Sequence, residues 1–332
     1  MKKKIFIPVL KTKRATEKHI LEKLSEKYTF DDSFLPLIEW TRDSRESSVK
    51  KYAEILKDAF HLESVYRRSN SSIDEIINKT SELRKTNNIV PCLKILKEEC
   101  KKHYYLIDKF INNEKEKGAI ALNISIENDI DCIVKIGNQL SDNDYLIIDI
   151  GLDNIKYIKS LSTIKNKITS KNNIIILTEE RNTLLGNKEY AKCNYNGDWL
   201  FNFSVIDSIK NDSFDFDGFA SYCTLKNDMT GEDQIATKTY AIVFLYSSDN
   251  NSMFTLRTDE LMQTASSYVN LTNKILESKE YIERITEKIK KSPLAGEVFN
   301  NIIRNKKGSV VKYQEIAVFN YIESVIRDII RS

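Results

Sequence analysis

The chain has 332 residues, 41% of them apolar and 30% charged, with nine glycines and four prolines. That composition argues against a disordered polypeptide and allows a large buried core. A net charge of +3, from 51 basic and 48 acidic residues, gives no overall field that would draw nucleic acid or an acidic membrane.

Met1-Lys2-Lys3-Lys4 is charged like the start of a signal peptide, but the apolar run behind it, Ile5–Leu10, is broken by Pro8 and stops at Lys11, too short for export. That run is the first predicted strand, and Thr16 is placed to cap a helix from Glu17 to about Tyr28. The second strand, Phe34–Trp40, ends just after Glu39. Residues 42–87 carry two helical patterns, Ser47–Phe60 and Ser72–Lys85, and read as a helical insertion. Strand three, Ile89–Leu96, leads into a Lys- and Glu-rich helix ending near Asn113, and strand four, Ala119–Ser125, into a helix over Asn128–Leu140. Tyr145–Ile150 is the clearest strand, followed by a helical pattern from Asp153 to Ile164 and by strand six, Asn173–Thr178. Within Asn194–Asp212 the alternation of Trp199, Phe201, Phe203 and Val205 suggests an extra strand. Phe214–Cys223 and Tyr240–Tyr246 complete a set of eight, and from Thr258 onward the pattern is helical, over Asp259–Ser278, Tyr281–Lys290 and Tyr313–Ile330.

Strands alternating with helices imply a parallel sheet, and eight strands are the number that closes one into a barrel. The expected fold class is therefore α/β, a (β/α)8 TIM-like barrel over residues 1–257 with inserted helices at about 42–87 and a C-terminal helical extension over 258–332. No run reaches the roughly 18 apolar residues of a transmembrane helix, so a soluble cytoplasmic protein is expected.

A barrel of this kind carries its chemistry at the carboxyl ends of the strands. The polar residues predicted there are Lys11 and Lys13, Glu39, Lys94, Asn123 and Ser125, Asp149, Glu179, and Tyr222 with Lys226. Period-two alternation puts Tyr145, Ile147 and Asp149 on one strand face and Leu35, Leu37 and Glu39 on another. Glu39 and Asp149 suit acid–base chemistry or a divalent cation, while carboxylates closing strands also pair with a neighbouring lysine or cap the next helix. Lys11, Lys13 and Arg14 suit a phosphate or carboxylate, and solvated loop lysines are the alternative. Glu179-Glu180-Arg181 reads as a salt-bridged helix start. Arg304-Asn305-Lys306-Lys307 is a small basic cluster between C-terminal helices, a type of run that is usually a solvated turn, with nucleic-acid contact as the alternative.

Five widely spaced cysteines without a Cys-x-x-Cys pair indicate reduced thiols, with neither a disulfide framework nor a zinc site. His19, His61 and His103 all fall in predicted helices, which argues against a His-based metal cage or a Ser-His-Asp arrangement. No Walker, dinucleotide-binding or zincin motif is present, so the sequence specifies no cofactor.

Ile7-Pro8-Val9-Leu10-Lys11-Thr12-Lys13, Leu35-Pro36-Leu37-Ile38-Glu39, the strand-ending Asp149 and Phe219-Ala220-Ser221-Tyr222 together resemble the bacterial and phage "beta protein" family over about residues 4–250. The resemblance implies a barrel without an assigned reaction and a role in phage–host conflict, with Lys11 and Lys13 matching the family's paired lysines and Glu39 its strand-two glutamate. Two departures stand out: Thr16 or Glu17 where the family has an acidic residue after its second lysine, and Ala220-Ser221-Tyr222 where it has Gly-Asp-Tyr. Loss of that aspartate favours binding over catalysis. The expected function is a component of an antiphage defence system that binds or senses an anionic small molecule or nucleotide through the barrel mouth, together with a protein partner from the same operon. The alternatives are a hydrolase, possibly metal-dependent, acting on a phosphorylated or nucleic-acid substrate through Glu39 and Asp149, and a protein-interaction scaffold built on the 42–87 segment and the C-terminal helices.

Overall fold

The computed structural model describes residues 4–12, 15–40, 52, 54–56, 60–65, 72–83, 89–152, 157–179, 197–200, 215–223, 238–247 and 252–330. The chain divides into two compact units, Met1–Glu179 with Ser208–Ser221, and Glu180–Asp207 with Tyr222–Ser332.

The first unit is a closed parallel barrel. Its strands are β1 (Ile5–Lys11), β2 (Leu37–Trp40), β3 (His61–Val65), β4 (Ile89–Ile95), β5 (Ala121–Ser125), β6 (Tyr145–Leu152), β7 (Asn173–Glu179) and, beyond a strand of the other unit (β8, Gly197–Leu200), β9 (Gly218–Ser221). The helices of this unit are α1 (Ala15–Lys27), α2 (Ile73–Leu83), α3 (Glu99–Lys102), α4 (Tyr104–Lys115), α5 (Ile130–Gly137) and α6 (Ile158–Lys167). The register fixes the barrel's geometry. From Lys11 the paired residues run through Glu39, Ser64, Cys92, Ala121 and Tyr145 to Asn173, two residues before Ile175, whose partner Gly218 pairs with Ile5. One circuit thus returns to β1 about 8 residues upstream of its start, the shear of an eight-stranded TIM barrel.

Both strand faces are covered. Ile5, Ile7, Val9, Leu37, Leu62, Val90, Ile147, Ile175 and Leu177 share the inward register, while Phe6, Leu10, Ile38, Leu93, Leu146, Ile148, Ile174 and Phe219 occupy the outward one, and all are buried. Burial on both faces is why most of these strands read as near-continuous apolar runs. At the seam a Cβ on Gly218 would stand 2.2 Å from the Ile5 carbonyl oxygen, so only glycine lets β9 and β1 approach. At the opposite ends of the strands Asp144 accepts from the Ile120 and Ser141 amides at 2.8 and 2.7 Å and ties β5 to β6.

One expected barrel strand is corrected. Tyr240–Tyr246 does not enter the barrel; its place is taken by His61–Val65, inside the segment read as a helical insertion. The sequence conceals β3 because its outward residues are polar: His61 Nε2 lies 3.0 Å from Glu63 Oε1, and the Trp40 indole donates to Glu63 Oε2 at 2.6 Å. These pairings satisfy polar groups that would otherwise oppose burial. His61 is accordingly a strand residue, not a helical one.

In the second unit β11 (Ile242–Ser247) pairs antiparallel with β12 (Ser252–Arg257), which pairs with β8; β10 (Lys238–Thr239) pairs with β13 (Met262–Gln263). The barrel therefore ends at Ser221 rather than at residue 257, and the expected extra strand at Trp199 is β8. Four helices follow, α7 (Thr264–Leu276), α8 (Lys279–Ile289), α9 (Pro293–Asn305) and α10 (Val310–Val325), the last running into a π-helical turn, Ile326–Ile330. The central helix α10 is buried along most of its length, with the Tyr321 ring 5.1 Å from that of Tyr246 and Tyr313 Oη 3.1 Å from Thr272 Oγ1. The buried carboxylate of Glu323 accepts from the Leu294 amide at 2.9 Å, satisfying an otherwise orphaned donor at the start of α9. Among the described residues no helix is long and apolar enough to cross a membrane.

Candidate functional site

Polar residues replace apolar ones in the inward register at the carboxyl end of the barrel. Lys11 pairs in register with Glu39, Lys94 with Asn123, and Ser125 with Asp149, so all six share the inward face. Lys11, Glu39, Lys94 and Asn123 are buried; Ser125, Asp149 and Glu179 keep partial exposure. Residues far apart in sequence thus meet because closure brings their strand ends together.

The two lysines converge on one carboxylate. Lys94 Nζ donates to Glu39 Oε1 at 3.2 Å, and Lys11 Nζ lies 3.6 Å from Glu39 Oε2, an ion pair too long for a hydrogen bond. Burial alone would push the Glu39 carboxyl up, but Lys94 and then Lys11 outweigh it and hold the group below the ordinary carboxylate range. Lys11 is also lowered, to about 8: burial is the main cause and the like charge of Lys94 adds to it, while Glu39 acts against both. Both groups are lowered for different reasons: the two cations outweigh burial at Glu39, whereas burial outweighs the carboxylates around Lys11.

Asp149 behaves unlike Glu39. Burial pushes its carboxyl up, with Lys94 and the Gly151 amide, 2.9 Å from Asp149 Oδ1, acting against that. Gly151 has φ of +64°, and this left-handed turn in the irregular β6 pairing between Asp149 and Leu152 is what aims its amide back at the carboxylate. Cys92, one layer deeper, is pushed up to about 12 by burial and is held as a thiol. Among the described residues none donates a hydrogen bond to Asn123 Oδ1 or Glu39 Oε2.

The structure brings together Lys11, Glu39, Lys94, Asn123 and Asp149. Tyr222 is buried and belongs to the second unit, and Lys13 and Lys226 lie outside the described residues. Glu17, Tyr52 and Cys92 were not expected to take part. Glu17, buried in the first turn of α1, acts electrostatically on both Lys11 and Tyr52, and burial followed by Glu17 pushes the Tyr52 phenol up. In sequence Glu17 is indistinguishable from a helix-dipole partner and Cys92 from a core residue. Among the described residues no three His, Cys, Asp or Glu side chains converge as a metal site.

No protein-family model matches this chain, and no curated protein matches it.

Proposed function

We propose that this protein is a binding or sensing component of a bacterial antiphage defence system, with the carboxyl-terminal mouth of its barrel as receptor for a small anionic molecule of the nucleotide or sugar-phosphate class. Support for the setting comes from the resemblance of the Lys11, Glu39 and Phe219–Tyr222 motifs to the beta protein family. Support for the ligand class comes from the site itself.

The observation that carries the reading is the buried lysine pair beside an orphan acceptor. Two ammonium groups held on one carboxylate can be re-partnered to an incoming phosphate or carboxylate as point charges. Asn123 Oδ1, on an inward residue only 4% exposed, receives no hydrogen bond from the described residues, and such an unpaired atom costs about 1–3 kcal/mol. A ligand with a hydroxyl or amino donor next to its anionic group offsets that cost. Ser125 and Asp149 are the partly exposed approach to these groups.

The test is calorimetric titration with nucleotides, sugar phosphates and inorganic phosphate, alongside plaquing of cells carrying the gene. A ligand bound by the wild type and lost in Lys94→Met, with protection against some phage lost in the same variant, is the expected result. Binding unchanged in Lys94→Met, or plaquing unchanged across a broad phage panel, contradicts the reading.

A second reading, hydrolysis of a phosphorylated or nucleic-acid substrate, has one observation in its favour: Glu39 is held down while Asp149 is pushed up, the separation that acid–base pairs use. Under that reading Asp149→Asn abolishes turnover of a bound ligand and leaves its affinity intact.

A further inference from the structure

We propose that Cys100 and Cys132 are a dithiol that hydrogen peroxide, or an oxidant of the same two-electron class, converts to a disulfide linking the connections that follow β4 and β5. The inference is independent of the ligand reading. It rests on the placement of two free thiols by rigid elements. Cys100 lies on α3 and Cys132 in the first turn of α5, with their sulfurs 2.8 Å apart, closer than two thiols normally rest and short of a bond.

The sulfurs are held there by the backbone. Asn128 accepts from the Cys100 amide at 2.9 Å and donates to the carbonyls of Leu96 and Ser125 at 2.9 and 3.0 Å, so one side chain latches both connections. Asp129 caps α5 by accepting from the Cys132 amide at 3.0 Å. Glu99 accepts from the Leu96 amide at 2.8 Å and fixes the turn into α3. The Cys pair therefore needs only a small side-chain adjustment to bond.

Cys100 is buried and Cys132 partly exposed, which assigns the roles. The Cys132 thiolate attacks the peroxide O–O bond, giving a sulfenic acid and hydroxide; the Cys100 thiolate then displaces hydroxide from that sulfur and the S–S bond forms. Overall two thiols and one peroxide give one disulfide and two waters. Burial pushes both thiols up, so the reaction is slow at neutral pH and accelerates in alkali. The link fastens the ends of the strands that carry Lys94 and Asn123.

The test uses the full-length reduced protein, treated with hydrogen peroxide under native conditions at pH 7.5 and 9, alkylated, digested without reductant and mapped by mass spectrometry. A Cys100–Cys132 peptide as the dominant cross-link, formed faster at pH 9 and removed by dithiothreitol, is expected. Cys132→Ser should leave Cys100 alkylatable, and Cys223→Ser should change nothing. Cys100 and Cys132 remaining alkylatable under conditions that oxidise the urea-unfolded chain overturns the proposal. So does a cross-link that pairs either residue with Cys92, Cys193 or Cys223.

Discussion

Glu39→Gln removes the carboxylate that two lysines share while keeping its volume. In the native barrel its oxygens stand 3.2 Å from Lys94 and 3.6 Å from Lys11. At an effective dielectric of about 20 each pair has a Coulombic attraction of about 5 kcal/mol before desolvation. Burial offsets most of that gain, but breaking a buried cluster leaves two ammonium groups facing one another, and a loss of about 3–5 kcal/mol follows. The loss depends on pH in a defined direction. The Glu39 carboxyl is depressed in the fold, so its contribution is complete above its ordinary value near 4.5 and disappears as pH falls through the lower folded one. Lys11 is depressed to about 8 from 10.5, so above pH 8 the unfolded chain binds more protons and stability rises with pH. Deprotonation of Lys11 relieves the repulsion that Glu39→Gln exposes. Urea denaturation of wild type and variant should show the full deficit at pH 6.5 and a smaller one at pH 9.5. A deficit below about 1 kcal/mol at pH 6.5, or one equal at both pH values, refutes the cluster as an energetic unit.

Gly218→Ala places a Cβ against the Ile5 carbonyl at the barrel seam and should cost about 3 kcal/mol, read as a lower urea midpoint. Trp40→Phe keeps an aromatic ring beside Tyr52, 5.5 Å away, but takes the indole donor from buried Glu63; a loss of about 1–3 kcal/mol is expected, and none if β3 is not a barrel strand. Asp144→Ala, at the end of the barrel remote from the mouth, should lower the melting temperature while leaving ligand affinity unchanged, because that face serves stability.

The legible parts of this fold are those where burial and composition agree. β6 and β7, with Leu146-Ile147-Ile148 and Ile174-Ile175-Ile176 buried on both faces, announce a parallel sheet directly. β3 does not, because His61 and Glu63 become buriable through pairing with each other and with Trp40, which lies on another strand and is found only in three dimensions. Tyr240–Tyr246 has the composition of a barrel strand, and composition cannot distinguish parallel from antiparallel pairing; the polar stretch between Ser247 and Ser252 is the hairpin signal that separates them. At the mouth, strand-end position and period-two parity suffice to find Lys11, Glu39, Lys94, Asn123 and Asp149. They cannot find Glu17, whose reach to Lys11 depends on how α1 returns over the barrel, nor the opposite displacements of two carboxylates that face the same two lysines, only one of which is paired directly with them.

The buried charge cluster is open to direct observation by nuclear magnetic resonance of protein labelled at the lysine ε-carbons, titrated from pH 6 to 11. One resonance titrating near 8, absent in Lys11→Met and shifted still lower in Glu39→Gln, is the predicted result. Every lysine titrating near 10.4, the ordinary value, would mean that Lys11 does not lie in a closed barrel against Glu39 and Lys94.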